Sequence, residues 1–173
     1  MNQSKVVFFP LIGSLVWNVH RGVGRYLTME FGRSHLLAQE PRGHTLHTTA
    51  RLQRRSRMRR LHVCGDWHLF IQGDWKVAVE DEWLHSDDEI VQHSVKEDCL
   101  SNLEGQRLVA VDIAEDGRHL RLVFDLGGKL EVWPPAEDDD SQWSLHGWDG
   151  NVAAMGHDGA LAFEVVEPHH EAT

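Results

Sequence analysis

The chain has 173 residues, 41% of them hydrophobic, which is typical of one compact domain or of two small fused halves. Its formal net charge of -10 argues against long-range attraction to nucleic acid. Residues 1–60 nevertheless carry 11 Lys and Arg against 2 Asp and Glu, so the acidic excess lies in residues 61–173. Such opposite charges indicate either pairing inside the molecule or a charged partner.

The first apolar segment, residues 6–17, looks like a short signal sequence after Lys5. Pro10 and Gly13 interrupt it, and no small-residue cleavage site follows. It is also too short to cross a bilayer, and no other transmembrane segment is present. We interpret residues 6–9 as a strand or a tucked arm, with a signal peptide as the alternative.

The first repeat, from Gly13 to Gly32, has the pattern of a β-hairpin. Two alternating apolar runs flank a turn at residues 21–24 that contains glycine. The expected inward side chains are Leu15, Trp17, Val19, Leu27, Met29 and Phe31. Half-buried antiparallel strands have this period of two, and Leu36 and Leu37 can close a third strand.

Residues 39–60 form a polar insertion that ends in a dense arginine run. Six arginines occur within ten residues: Arg51, Arg54, Arg55, Arg57, Arg59 and Arg60. They could contact nucleic-acid phosphates in a salt-dependent, sequence-independent way. They could instead form a basic edge strand or lie along the acidic second half. The absence of interleaved aromatic residues weakens a role in single-strand binding.

Further strand signals at residues 61–63, 67–71 and 74–79 precede the one helix signal. Ser86 to Glu89 is a capping-box pattern with acidic residues in the first turn. Ile90, Val91 and Val95 follow at loosely helical spacing. The pattern predicts a helix from about Asp87 to Cys99.

The second repeat, residues 102–167, matches the first. Its predicted strands lie at residues 108–113, 120–124, 130–133, 143–145 and 161–166. Four pairs align: Gly13 with Gly105, Val19 with Val111, Leu27 with Leu120, and Phe31 with Phe124. Farther on, the runs 67–69 and 143–145 align, as do Trp75 and Trp148.

These repeats predict a mainly β (α+β) fold. Two repeated antiparallel β units, related by a pseudo-twofold axis, pack face to face or side by side. The expected divisions are residues 1–84 with the insertion at 39–60, a linking helix within 85–101, a second unit at 102–167 and a disordered tail at 168–173.

The skeleton of residues 104–148 resembles a class of small uncharacterised bacterial β-rich proteins. It follows their pattern G-x-x-V-x-x-V…L-x-L-x-F-x-x-G…L-x-V…W-x-L, and the first repeat follows it more loosely. Some members of such classes look like immunity proteins encoded beside polymorphic toxins. The shared motif is apolar residues and turn glycines, so the resemblance implies a fold and carries over no functional residue.

The sequence contains no nucleophile elbow, phosphate-binding loop or dinucleotide-binding motif. His62 and Cys64 could share one face of a strand as half of a metal site. Scattered surface and core histidines are the alternative, and we predict no catalytic residue and no cofactor. Because Cys64 and Cys99 are too few for a disulfide framework, we expect reduced thiols in a cytoplasmic protein. A disulfide between these two cysteines is left open.

Acidic runs beside tryptophans have the composition of a protein-binding patch. The predicted partner-binding residues are Trp83, Asp87, Asp88, Trp133, Glu137, Asp138, Asp139, Asp140 and Trp148. The alternative is core tryptophans beside ordinary solvated loops. We therefore favour a non-enzymatic, immunity-type protein that binds a basic protein partner. A nucleic-acid-associated protein using residues 51–60 and a metal-dependent enzyme are the alternatives, and exposed edge strands make a homodimer possible.

Overall fold

A computed structural model describes residues 6–22, 24–39, 58–80, 82–88, 99–135 and 141–166. It confirms the prediction of a mainly β protein built from antiparallel sheets. The strands are β1 (Val16–Arg21), β2 (Leu27–Phe31), β3 (His35–Gln39), β4 (Arg60–Cys64), β5 (Trp67–Ile71), β6 (Asp74–Val79), β7 (Glu82–His85), β8 (Leu108–Ile113), β9 (Leu120–Phe124), β10 (Lys129–Trp133), β11 (Trp143–Gly147), β12 (Asn151–Met155) and β13 (Leu161–Val165). A short 3-10 helix spans Phe9–Leu11, and residues 99–103 are α-helical.

The strands form two large sheets and one hairpin. A six-stranded sheet has the order β1-β2-β5-β11-β12-β13, and a five-stranded sheet has the order β7-β6-β10-β9-β8. Strands β3 and β4 pair only with each other among the described strands. Buried apolar side chains of both large sheets belong to one hydrophobic cluster, so the two sheets share a single core.

Each half of the chain contributes strands to both sheets. Strand β11 pairs with β5, with Leu145 opposite Leu69. Strand β6 pairs with β10, with Val77 opposite Leu130. The last strands of each half therefore complete the sheet that the other half begins.

The two sheets are also joined at the edges formed by β1 and β8. The Gly13 amide donates to the Leu108 carbonyl at 2.7 Å, and the Leu108 amide donates to the Ser14 carbonyl at 3.1 Å. The Val16 amide donates to the Gln106 carbonyl at 2.9 Å, and the Gly105 amide donates to the Val16 carbonyl at 2.8 Å. These four bonds surround an isolated bridge between Leu15 and Arg107.

The predicted inward face is confirmed in β2, whereas in the first run only Val19 of the three predicted residues is buried. Leu27, Met29 and Phe31 are fully buried, whereas Leu15 is 40% exposed. In β1 the buried apolar residues are Val16 and Val19, which are three positions apart. The reason is a β-bulge near Asn18, whose φ of 52° breaks the two-residue alternation.

Two other local predictions need correction. Residues 6–9 are not a strand. Val6 is helical, residues 7 and 8 form a turn, and Phe9 begins the 3-10 helix, although Phe8 and Leu11 are fully buried as in a tucked arm. The predicted helix does not begin at Asp87. The His85 amide donates to Asp88 Oδ2 at 2.9 Å, and the Asp88 amide donates back to the His85 carbonyl at 3.3 Å, which closes a turn. Of the predicted range, only Cys99 is described as helical, within the segment 99–103, and residues 89–98 and the predicted tail lie outside the described part.

No helix in the described part of the chain is long and apolar enough to cross a membrane.

Candidate functional site

The outer strand β7 carries an exposed tryptophan. Trp83 is 59% exposed. The Lys76 ammonium lies 5.4 Å from the Trp83 ring centroid, and the His85 ring meets the indole edge-on at 5.0 Å. The indole is thus supported by two neighbours while most of its surface faces solvent, as an aromatic contact residue requires.

Exposed carboxylates lie close to this tryptophan along the chain. Glu80 precedes the strand, Glu82 is its first residue, and Asp87 lies in the turn that follows it. Arg21 holds this turn by donating to the carbonyls of Ser86 at 2.6 Å and Asp88 at 3.0 Å. The Arg21 guanidinium therefore binds two carbonyls of a non-helical turn.

A cavity of about 390 Å³ opens beside the turn. Its lining residues are Arg25, Asp74, Trp75, His85, Ser86, Asp87 and Trp133. The Arg25 guanidinium contacts the Asp74 carboxylate at 2.9 Å, and Trp75 Nε1 donates to the Arg25 carbonyl. Trp133 stacks on His119 with ring centroids 5.3 Å apart. The cavity therefore offers two indoles, an imidazole and both signs of charge.

The structure places four of the predicted partner-binding residues on one sheet or on the turn that adjoins it. Trp83, Asp87, Asp88 and Trp133 lie on β7, on its following turn and on β10 of the same sheet. We call these four residues, with Glu80 and Glu82, the β7 surface. Glu137, Asp138, Asp139 and Asp140 lie outside the described residues.

Trp148 belongs to a different part of the molecule. It follows β11 of the six-stranded sheet, and its indole stacks on His35 with ring centroids 4.3 Å apart. Trp148 lines a second cavity of about 350 Å³ between that sheet and the β3–β4 hairpin. The structure therefore separates Trp148 from the other predicted partner-binding residues.

The second cavity contains a group that the sequence analysis missed. Glu30 is only 5% exposed. It accepts a hydrogen bond from His68 Nδ1 at 2.7 Å and another from the Gly65 amide at 2.8 Å. His146 stands opposite His68 on β11, and its Nε2 lies 2.9 Å from Ser144 Oγ. Glu30 is one of only 2 acidic residues in residues 1–60, and this rarity could have marked it in the sequence as a candidate site residue.

Cys64, which lines this cavity, and Asp66, whose Oδ1 lies 2.8 Å from His35 Nε2, both have shifted pKa values. Burial raises the pKa of the Cys64 thiol, and the nearby Glu30 charge raises it further. Burial by itself would raise the pKa of Asp66. Hydrogen bonds from His35 and the Arg33 amide, with the charges of Arg33 and His35, outweigh burial and lower this pKa below its ordinary value.

The residues of the alternative predictions are only partly described. Arg59 and Arg60 are exposed at the start of β4, whereas Arg51, Arg54, Arg55 and Arg57 lie outside the described residues. His62 is exposed, and Cys64 is a half-buried free thiol two residues farther along β4. Cys99 is also free and is buried. The described residues contain no group of three or more potential metal ligands.

Comparison of the chain with protein-family models, with curated proteins and with solved structures finds no match.

Proposed function

We propose that this protein is a non-enzymatic binding protein of the immunity type, which engages a basic protein partner through the β7 surface. The observation that carries the proposal is the 59% exposure of Trp83 on an outer strand, close along the chain to the exposed residues Glu80, Glu82 and Asp87. Indoles that are rigid and partly exposed provide a large contact area at low entropic cost. The carboxylates would speed encounter with a basic surface and select against acidic partners.

The neighbouring cavity supports the same proposal. A volume of about 390 Å³ can accept a protruding side chain, and Trp133 and His85 line it. Asp74 is paired with Arg25 there, so the wall is not uniformly acidic. We therefore assign the selection of a basic partner mainly to Glu80, Glu82 and Asp87 outside the cavity.

The test is affinity capture from a lysate of the source cells, with and without nuclease. We expect wild type to capture a basic protein, and Trp83→Ala to weaken binding by about 30-fold, the effect of losing about 2 kcal/mol at a hot spot. A Glu82→Gln, Asp87→Asn double variant should weaken binding and reduce its salt dependence. The matched control, Glu115→Gln with Asp116→Asn, removes the same charge from an exposed turn outside the β7 surface.

Binding that is unaffected by Trp83→Ala and equally reduced by both double variants would contradict the proposal. That result would indicate a general charge effect rather than the β7 surface. Unchanged thermal unfolding of all three variants checks that the fold is intact, since exposed substitutions usually change stability by less than about 0.5 kcal/mol.

Nucleic-acid association is the first alternative function. Its support is the sequence run of residues 51–60, of which Arg59 and Arg60 are described and exposed. In the same capture experiment, nuclease would abolish binding. Alanine at Arg54, Arg55, Arg57 and Arg59 would then remove a steep salt dependence of DNA or RNA binding.

A metal-dependent enzyme is the second alternative. Its support is the Glu30–His68 pair, because a carboxylate bound to Nδ1 orients the imidazole for acid–base chemistry or metal binding through Nε2. Stoichiometric metal in untagged protein, lost in His68→Ala, would favour it over the binding protein. We also propose a reducing, cytoplasmic setting, which the two free thiols support.

We further propose that the fold is an internal duplication with pseudo-twofold symmetry. Exchanging residues 13–16 with residues 105–108 converts each of the four edge hydrogen bonds into another of the four. The bond from the Gly32 amide to the Leu15 carbonyl likewise matches that from the Asp125 amide to the Arg107 carbonyl. Phe31 stands opposite Val16 as Phe124 stands opposite Leu108.

The strand order supports the same relation. Strands β1, β2 and β5 lie side by side in one sheet, and β8, β9 and β10 lie side by side in the other. Next to them, each sheet continues with strands from the opposite half, starting with β11 in the first sheet and β6 in the second. By this order β5 corresponds to β10 and β6 to β11. Residues 67–69 and 143–145 then lie on the neighbouring strands β5 and β11, where Leu69 pairs with Leu145, rather than at equivalent positions.

A matched pair of glycine substitutions tests this symmetry. Gly13 and Gly105 have φ values of +83° and +81°, and an added Cβ at either position meets nothing within 4 Å. Alanine at either should cost only the left-handed backbone strain, about 1–2 kcal/mol. If Gly13→Ala and Gly105→Ala lower the free energy of unfolding by amounts that differ by more than about 1 kcal/mol, the two glycines do not have equivalent roles.

A further inference from the structure

Strand β13 leaves one row of backbone groups at an open edge. It is the last strand of the six-stranded sheet, and β12 is its only partner among the described strands. The Gly156 amide donates to the Ala160 carbonyl at 2.9 Å, and the Val166 amide donates to the Gly150 carbonyl at 2.8 Å. Hydrogen-bonded pairs alternate along an antiparallel ladder, so the even-numbered residues of β13 face β12. The amides and carbonyls of Leu161, Phe163 and Val165 therefore face outward.

Leu161, Phe163 and Val165 also place three apolar side chains on one face of the sheet. They stand opposite Met155, Ala153 and Asn151 of β12. Met155 and Ala153 are buried in the core, and Leu161 packs against that core. Phe163 is 67% exposed and Val165 is 76% exposed. The core face of the sheet thus continues onto β13, where the side chains of Phe163 and Val165 are exposed to solvent.

β13 also lacks the usual protection of an edge strand. Natural edges are blocked by lysine, proline, bulges or inward charges. The sequence of β13 is Leu-Ala-Phe-Glu-Val, and its pairing with β12 is regular. Glu164 is its one charged residue, and its backbone groups face β12.

We propose that a second copy of this chain covers the edge by antiparallel pairing of β13 with β13, about a twofold axis at Phe163. The outward groups then form about six interchain hydrogen bonds, two for each hydrogen-bonded pair. Phe163 faces Phe163 of the second copy, and Leu161 faces Val165 of the second copy. The two six-stranded sheets join into one continuous sheet.

The side-chain pattern favours a second copy over an unrelated strand because it complements itself. In this register all three facing pairs are apolar. Glu164 stands opposite Ala162 of the second copy, so no like charges meet across the axis. The β7 surface lies at an edge of the other sheet, so the dimer would present two copies of it. The dimer does not depend on the proposed function.

The test is sedimentation equilibrium of the full chain over a wide concentration range. We expect the mass to rise from 19.8 kDa at high dilution toward twice that value. Phe163→Lys should raise the dimer dissociation constant by about 100-fold, because two lysines would meet at the axis. Leu126→Lys is the matched control, since Leu126 is 69% exposed in a turn of the other sheet, and it should leave the dimer unchanged.

A charge-exchange experiment identifies the register. Phe163→Lys alone and Phe163→Glu alone should both be monomers, whereas their equimolar mixture should form a heterodimer. Because residue 163 is exposed in the monomer, both variants should unfold at the wild-type temperature at high dilution, where the wild type is also monomeric. Wild-type protein that stays monomeric at every concentration, a dimer insensitive to Phe163→Lys, or a mixture that stays monomeric would overturn the proposal.

Discussion

Glu30 and His68 form a carboxylate–imidazole pair across strands β2 and β5, with Glu30 Oε1 2.7 Å from His68 Nδ1. The second carboxylate oxygen accepts from the Gly65 amide, so both oxygens are satisfied although the residue is 5% exposed. A buried charge persists only when it is paired and hydrogen-bonded in this way. The pairing of β2 with β5 therefore places this carboxylate and this imidazole together in the wall of the second cavity.

We predict that Glu30→Gln lowers the pKa of the Cys64 thiol. The Glu30 charge adds to burial in raising that pKa, so a neutral side chain should leave burial alone. The rate of alkylation against pH measures it, in a Cys99→Ala background so that only Cys64 reacts. Glu115→Gln, an exposed turn substitution, is the control. A Cys64 pKa that is unchanged or raised by Glu30→Gln would contradict the prediction.

Asp66 should stabilise the fold in a pH-dependent way. Its pKa is lowered below the ordinary 3.8, so the folded state favours the charged form. This stabilisation is present above the ordinary pKa and is lost as the pH falls through the lowered folded pKa. We expect the difference in unfolding free energy between wild type and Asp66→Asn to be largest near neutral pH and to shrink on acidification.

Urea unfolding at a series of pH values gives that difference directly. A difference that grows toward acid pH would mean that the Asp66 carboxylate is not stabilised by His35 and Arg33. Glu115→Gln again serves as the control, and its stability should follow that of wild type across the series.

Gly65 is predicted to be intolerant of a side chain. An added Cβ would lie 2.5 Å from the Phe31 carbonyl oxygen, which is backbone and cannot turn aside. Gly65→Ala should therefore cost about 1–3 kcal/mol and weaken the bond to Glu30. At Gly22 the nearest atom is 3.5 Å away, so Gly22→Ala should be neutral or slightly stabilising. Equal costs for the two variants in thermal unfolding would refute this steric argument.

The two halves of the chain should not fold separately. Strand β5 needs β11 from the second half, and β10 needs β6 from the first. We expect fragments 1–98 and 99–173 each to lack cooperative unfolding, and an equimolar mixture to regain it. Cooperative unfolding of either fragment alone, followed by circular dichroism, would show that the exchanged strands are dispensable.

The inward face of β2 was readable from the sequence, because alternation with a period of two is a local property. Leu27, Met29 and Phe31 are buried as predicted. The phase of β1 was not readable, since the bulge near Asn18 depends on pairing with β2. The turn at residues 86–88 also differs from its helix-like sequence, and Arg21, far along the chain, binds its carbonyls.

For the candidate sites, the sequence by itself determined the composition of the β7 surface, in which tryptophan and carboxylates are close neighbours along the chain. Only the tertiary structure decided that Trp133 joins this surface while Trp148 does not, because β10 and β11 lie in different sheets. It also decided the Glu30–His68 pair, whose members are 38 residues apart. Contacts of that separation arise from strand order, which is set by burial of the whole core rather than by local pattern.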